Sequence, residues 1–438
     1  MAPPRRPPRH LPLHDEGAQG VSESSSKPAP RRERAWLAAA PAVLMMAWGG
    51  NQFTPLLLLY RKVEGYSALQ VDLFFGAYII GLIPGFLIAG SLSDRFGRKP
   101  LMVASVVLSV AAAAVLALGS ASPTAMMVGR LLSGVSVAVA MVVGTTWIRE
   151  LSTGIVPPAV AARRASLTIT AGFLLGAVAA GLLAQWAPWP TLTPYIVQLV
   201  LTAIAAVALT RGAETAGPRS RQEAESPHSG VTPQAGEARP SRPLVDVHIA
   251  PEHRRRFFTV VLPMAPWVFA APALAFAVSP AIVVEQLGGL EIAFAALLTL
   301  VTLTVGFLIQ PSVPRIAARV GGASGSLGLA LLALGALLVA ANVALQSPLL
   351  ACAAGVLLGG AYGICMLTGL VEVQAMAGRR NLAGLTGLYY ALTYIGFALP
   401  AILSALAPTF GMIILLVAVA ILASGCAALV ALGVRRTR

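Results

Sequence analysis

The chain has 438 residues, 57% of them hydrophobic and 11% charged, with a mean hydropathy of +0.79 and a formal net charge of +14. Its apolar residues come in runs of about twenty, the length that crosses ~30 Å of hydrocarbon at 1.5 Å per residue. A single-core soluble domain is excluded, because one core cannot hide so many all-apolar helices, and no basic patch with interleaved aromatics points to nucleic acid.

Residues 1–34 are rich in Pro, Ser and Arg and lack an apolar core, so they predict a disordered tail and not a signal peptide. Six spans are then expected at 36–59, 69–92, 100–119, 125–148, 167–187 and 192–210, and six more at 257–284, 290–310, 326–346, 349–374, 382–407 and 410–433. Between the two sets, residues 211–255 are rich in Pro, Ser, Gly and charge and predict a flexible linker. The expectation is an all-α membrane protein of twelve transmembrane helices, in an N-terminal six-helix bundle (35–210) and a C-terminal one (256–434), with a short tail at 435–438.

With the N-terminus inside, the short inner segments and tail carry thirteen basic residues: Arg95, Arg98, Lys99, Arg149, Arg163, Arg164, Arg315, Arg319, Arg379, Arg380, Arg435, Arg436 and Arg438. The outer loops carry two, Arg61 and Lys62. The positive-inside rule therefore predicts that both termini and the linker are cytoplasmic. Arginine outnumbers lysine and alanine is abundant, which hints at a high-G+C bacterial genome and hence a bacterial cytoplasmic membrane.

In span 1, "AWGGNQFTP" places Asn51 and Gln52 near the bilayer centre beside Trp48. Amides at that depth must be hydrogen-bonded, to a neighbouring helix or to cargo in a wet cavity. Span 2 opens with Asp72 near its outer mouth and ends in "GSLSDRFGRKP", residues 90–100, with four charges in six positions. Gly90 is expected to end the helix at a close backbone approach, and Gly97 to supply a positive φ. Asp94 is costly near lipid unless paired; Arg98 is the nearest cation by spacing, and Glu150, closing span 4, is a plausible third member.

This stretch resembles the signature of the major facilitator superfamily, G-x-L-x-D-R-x-G-R-K/R, through Gly90, Leu92, Asp94, Arg95, Gly97, Arg98 and Lys99. The resemblance extends over 36–433 and implies two bundles rocking about a central site. It also implies a conformational clamp at this loop, carried by Asp94, Arg98 and Glu150, with the aspartate facing the start of span 11 in the outward-facing state. The matching loop of the second half, "QPSVPRIAARVGG", keeps Arg315, Arg319 and Gly321 but no acid.

Further along, Arg130 and Gly134 resemble the family pattern R-x-x-x-G. A guanidinium within a span either binds substrate or tunes a proton site, or else snorkels to the headgroups. Gly172, Gly176 and Gly181 in span 5 resemble an antiporter pattern, G-x-x-x-G-P-x-x-G-G, in which Ala177 and Ala180 replace a proline and a glycine. Small residues at this spacing let helices touch whatever is carried. Aromatic candidates for the cavity are Trp267 in span 7, Tyr362 in span 10, and Tyr390 with Tyr394 one turn apart in span 11.

Of the 17 acids, Asp72 and Glu372 fall within expected spans, both near ends, and are the two candidates for a coupling acid. All five histidines lie in the tail or linker, and Cys352, Cys365 and Cys426 read as small buried hydrophobes, not as metal ligands or disulfides. No G-x-x-x-x-G-K-[ST] stretch offers ATP drive, and no cofactor is expected. The expected function is therefore secondary active transport by a monomer in the bilayer, coupled to protons, within the drug- and metabolite-antiporter branch that the resemblance suggests. A cavity with amides, Trp, Tyr and Met suits export of a neutral or cationic amphiphile. Import of a small metabolite is the alternative, and an enzyme or a non-transporting sensor a distant one, since no histidine or acid pair stands at mid-membrane depth.

Overall fold

The computed structural model describes residues 33–215, 249–376 and 382–436. The tail through residue 32, most of the linker (216–248), Arg379, Arg380 and Arg438 lie outside the described residues.

Among the described residues, twelve helices are long and apolar enough to cross a membrane: α1 (Ala40–Val63), α2 (Ala68–Phe96), α3 (Arg98–Leu118), α4 (Pro123–Glu150), α5 (Val160–Trp186), α6 (Thr193–Thr210), α7 (Pro251–Ile282), α8 (Glu291–Arg319), α9 (Ser324–Leu345), α10 (Pro348–Met376), α11 (Gly384–Phe410) and α12 (Met412–Arg435). Among the described residues there is no strand. In hydrocarbon every backbone amide must be satisfied within its own segment, so runs like these have no alternative to helix. Twelve crossings return the chain to the side on which it began. The side holding Arg34, the α2–α3 turn and Arg435 is termed the basic face, and the opposite one the far face.

Local chemistry sets the ends. Ser67 and Gln70 form a reciprocal capping box at the start of α2, and Ser122 caps α4 ahead of Pro123. The helices run further than expected at the basic face: α2 continues to Phe96 and α3 begins at Arg98, so the turn between them is Gly97 alone, at φ 97°. Gly90 therefore does not end a helix, and a Cβ there would meet only Val142 at an ordinary 3.7 Å. The physical reason is that charged side chains on a terminal turn reach the headgroups while the backbone stays hydrogen-bonded. Arg61 and Lys62 likewise sit in the last turn of α1, not in a loop.

Within α1–α6, α2 packs on α4, α1 on α5 and α6, and α3 on α4 and α6; within α7–α12, α9 packs on α10 and α12, and α10 on α7 and α8. Glycines set some of these distances. A Cβ on Gly134 would strike the Tyr78 carbonyl of α2, and one on Gly176 would stand 2.6 Å from the Trp48 Cα of α1. Gly172 faces Leu44 and Ala47 of α1 in the same manner, and Gly181 faces Ala296 of α8 in the other half.

The most interior spans are α1 and α7, 89% and 72% buried against 28% for α12. They are also irregular: α1 passes through a 3-10 turn at Thr54–Leu56, and α7 holds π turns at Phe257–Val261 and Leu274–Val278 with Pro266 and Pro272 between. In α4 a π turn spans Ala140–Gly144, and in α11 a 3-10 turn spans Ile395–Ala398. Each such turn re-phases the helix face and opens backbone groups, a feature common at functional sites.

Candidate functional site

A cavity with about 1130 Å³ of empty space, its mouth included, lies between the halves and is lined by α1, α2, α4, α5, α7, α8, α10 and α11. Aromatic rings dominate its wall. Phe269 stacks on Tyr394 at 4.0 Å between centroids and leans on Tyr362 at 5.6 Å, while Phe86 of the other half contacts Tyr390 and Tyr394, each at 5.4 Å.

Of the residues singled out from the sequence, Asn51, Arg130, Tyr362, Tyr390 and Tyr394 line the cavity. Trp48, Gln52 and Trp267 do not. Trp48 Nε1 donates to Gln52 Oε1 at 3.1 Å, and Gln52 Nε2 donates to Gln198 of α6, which also reaches Ser109 of α3. This chain of amides is satisfied inside the N-terminal half, on the face of α1 turned from the cavity. Trp267 packs among the apolar side chains of α7–α12. Asn51 bonds both ways: its Nδ2 donates to the Phe173 carbonyl at 3.0 Å, and its Oδ1 accepts from Thr54 at 2.9 Å.

Arg130 does not snorkel: it is 1% exposed. Its Nε, Nη1 and Nη2 donate to the carbonyls of Phe74, Gly50 and Phe75 at 3.3, 3.4 and 3.5 Å, and its guanidinium lies over the rings of Phe53 and Tyr78 at 4.4 and 4.6 Å. No side chain lining the cavity, among the described residues, is acidic. The expected match to a cationic amphiphile therefore has no counter-charge in the wall.

The far face is closed by contacts between halves. Gln185 donates to the Gly289 carbonyl at 2.7 Å and accepts from Ala293 N at 3.1 Å. Ser404 of α11 donates to Asp72 of α2, and Lys62 lies 3.8 Å from Glu291. Toward the basic face the cavity wall continues along Ser166, Gln310 and Leu370, in the basic-face thirds of α5, α8 and α10. The cavity thus reaches toward the basic face and is sealed at the other.

At the basic face the charges of the α2–α3 turn form one knot. Arg98 Nη1 donates to Ser93 at 2.6 Å and Asp94 at 2.9 Å; its Nη2 reaches Glu150 at 3.1 Å and its Nε the same carboxylate at 3.3 Å. The guanidinium fork joins the ends of α2, α3 and α4. Lys99 Nζ caps the end of α6 through the Thr210 and Gly212 carbonyls, at 2.8 and 3.0 Å. Arg95 is exposed on the last turn of α2. The resemblance sets Asp94 opposite the start of span 11; residues 377–381, just before it, lie outside the described residues.

Sequence reasoning missed Glu214, just past α6. Its two oxygens accept from the backbone N–H groups of Arg98 and Lys99, each at 2.9 Å, capping α3 where four amides lack helical partners. Next to it Thr215 donates to Glu150, and Trp147 Nε1 donates to the Ala213 carbonyl at 3.0 Å. Glu214 sits in a polar run that reads as linker, and only the fold brings it to α3. Replacing Glu214 by Gln should lower the thermal midpoint of the purified protein by a few degrees, since an exposed cap gains little from its charge. A scanning thermal melt at low salt checks this, and an unchanged midpoint would mean the contact is incidental.

The two candidate coupling acids differ in setting. Glu372 of α10 takes a two-pronged ion pair from Arg256 of α7, at 2.6 and 2.7 Å, entirely within the C-terminal half. Asp72 links the two halves. Cys352, Cys365 and Cys426 are free thiols.

A family model described as Major Facilitator Superfamily matches residues 35–401. Among curated proteins the chain is 32% identical over 122 residues to the bacillibactin exporter of Bacillus subtilis (strain 168), covering 27% of this chain and 30% of that one. It is 30% identical over 109 residues to the multidrug resistance protein MdtL of Shewanella oneidensis, covering 25% and 27%. These matches thus span less than a third of the relatives' length. Among solved structures, a POT family transporter in complex with 5-aminolevulinic acid superposes with a TM-score of 0.71 at 11% identity, over 93% of this chain and 97% of that one. A D-xylose-proton symporter gives 0.65 at 14% identity, over 90% and 95%. Identities this low speak for the fold alone.

Proposed function

The chain belongs to the major facilitator superfamily, and on that membership we propose that it is a secondary active transporter working by alternating access, exporting a drug-like or secondary-metabolite molecule against proton entry. The observation that carries this reading is the central cavity, sealed at the far face by contacts between α1–α6 and α7–α12 and extended toward the basic face. A site between two bodies, shut on one side, is what alternating access requires. The basic face is the cytoplasmic one by its excess of arginine, so this arrangement is inward-facing.

The two rocking bodies are 35–210 and 256–434, with 211–255 as their tether. In this state the partners of Asp94, Arg98 and Glu150 lie within the N-terminal half or on the adjoining Glu214 and Thr215. That fits a clamp that engages the second half only when the cytoplasmic side closes. For coupling, Asp72 is the better acid: it sits on a contact that must break for the far face to open, whereas Glu372 is held within one body. Export is favoured over import by the similarity to the bacillibactin exporter, and that name together with the multidrug resistance protein motivates the proposed cargo class.

Purified full-length protein in liposomes, challenged with a panel of cationic, neutral and anionic aromatic compounds under an imposed pH gradient, tests the reading. Saturable flux of at least one compound, accelerated by the gradient, is the expected result. No flux above protein-free liposomes across the panel would overturn transport, and flux indifferent to the gradient would overturn proton coupling.

A further inference from the structure

Arg130 is a buried charge whose neighbours leave it incompletely served. A guanidinium has five N–H donors, and here three of them go to carbonyls at 3.3 to 3.5 Å, the long edge of a hydrogen bond. The rings of Phe53 and Tyr78 supply some attraction to the cation. Among the described residues no carboxylate pairs with it, and the titratable side chains close enough to act on it are the phenols Tyr78, Tyr195 and Tyr60. An ionised group in a span without a counter-ion is expensive, and such groups are kept where something else supplies the missing partner.

A second observation points to the same place. The Tyr78 hydroxyl is buried and makes no hydrogen bond, and Tyr78, like Arg130, lines the cavity. It stands 3.1 Å from where a Cβ on Gly50 would be, and the Gly50 carbonyl is one of the three that Arg130 holds. Asn51, next along α1, has given one amide hydrogen to Phe173 and keeps a second. The spare polar capacity around Gly50 is therefore mostly donor capacity: two guanidinium N–H groups, a phenol O–H and an amide N–H. A leftover buried donor costs the full desolvation of that group, so the complement is a ligand group that only accepts.

We infer that Arg130, Tyr78 and Asn51 form an anion subsite, and that the molecule carried is an aromatic amphiphile bearing a carboxylate. The inference rests on the transporter reading and adds the charge of its cargo, opposite in sign to what composition suggests. The carboxylate sits among α1, α2 and α4 in the N-terminal half, and its rings lie against Phe269, Tyr362 and Tyr394 in the C-terminal half. One ligand then touches both bodies, which lets its binding bias their relative position.

The test uses pairs of matched size and shape in which a carboxylate, anionic and acceptor-only, is replaced by a neutral amide: benzoate and benzamide, 2-naphthoate and 2-naphthamide, 9-anthroate and 9-anthramide. Binding to the full-length protein at neutral pH is read by ligand-induced thermal stabilisation. At least one acid should bind tenfold or more tightly than its amide, a preference that Arg130→Gln abolishes and Arg130→Lys keeps in part. Should Arg130→Gln fail to fold, Tyr78→Phe removes only the hydroxyl and should weaken the acid several-fold without affecting the amide. Amides binding as tightly as acids, or no acid binding at all, would overturn the subsite. Liposome flux separates this from the underlying reading: amides carried as fast as acids remove the subsite and leave the transporter, whereas acids bound with Arg130 dependence but never carried do the reverse.

Discussion

Replacing Arg98 by alanine is expected to cut substrate flux in liposomes at least ~10-fold while the purified protein stays folded. The guanidinium is 13% exposed and ties Ser93 and Asp94 at the end of α2 to Glu150 at the end of α4. A net hydrogen bond to a charged group contributes about 1.5–3 kcal/mol, and without the cation two carboxylates would face each other across the turn. Both keep water, with side-chain exposures of 45% and 32%, so the protein survives the loss. What it loses is the fixed geometry of Asp94, and a shift of ~1.4 kcal/mol between two arrangements of the bundles already changes their ratio tenfold. Arg98→Lys keeps the charge but not the fork, since one ammonium cannot present parallel N–H groups to Glu150 while holding Asp94, so its flux should fall in between. Wild-type flux in Arg98→Ala, in a preparation with an unchanged gel-filtration profile, would remove the clamp.

The knot shows where sequence reading stops. Asp94 and Arg98, four residues apart, were legible as a pair because the spacing puts them on consecutive turns around one glycine, and Glu150 because it ends a neighbouring span. Glu214 was not legible, since nothing in "RGAET" distinguishes a helix cap from a linker acid until α6 returns beside α3. The helices themselves were written in twenty-residue apolar runs, which lipid converts to helix with no competing option. Their phase was not. Trp48 and Gln52 lie one turn apart and face α6, while Asn51, rotated by ~100° from Gln52 on an ideal helix, faces the cavity. In α7 two π turns each insert a residue into the helical repeat, so the face of Trp267 cannot be counted from either end. Apolar spans lack the polar stripe that reveals orientation in soluble helices, and an aromatic residue fits either side.

The cavity's charge is a related lesson. Counting acids along the spans leaves the middle of the membrane without one, while Arg130, in the outer part of span 4, keeps two readings, a functional guanidinium or one that snorkels to the headgroups. The fold turns that side chain inward between Phe53 and Tyr78, so a residue with two readings by sequence has one by position. Depth along a span is legible in sequence; direction around it is decided by what the neighbouring helices leave open.

Asp72→Asn is expected to uncouple transport from the proton gradient without stopping it. A one-unit pH difference is worth ~1.4 kcal/mol per proton, enough for tenfold accumulation at one proton per substrate. Wild type should approach that ratio and Asp72→Asn should stay at one, while exchange of labelled for unlabelled substrate across equal pH continues within a factor of ~3. The reason lies in the bond to Ser404. An ionised carboxylate can only accept the Ser404 hydroxyl, whereas a protonated one can also donate, so proton binding changes the contact that joins α2 to α11 at the closed far face. Asparagine preserves the size and an acceptor oxygen but holds the site permanently neutral. Glu372→Gln provides the contrast: it weakens the ion pair with Arg256 inside the C-terminal half, so it should lower the thermal midpoint and leave the accumulation ratio intact. Undiminished accumulation by Asp72→Asn, or its loss in Glu372→Gln alone, would move the coupling site away from the contact between the halves.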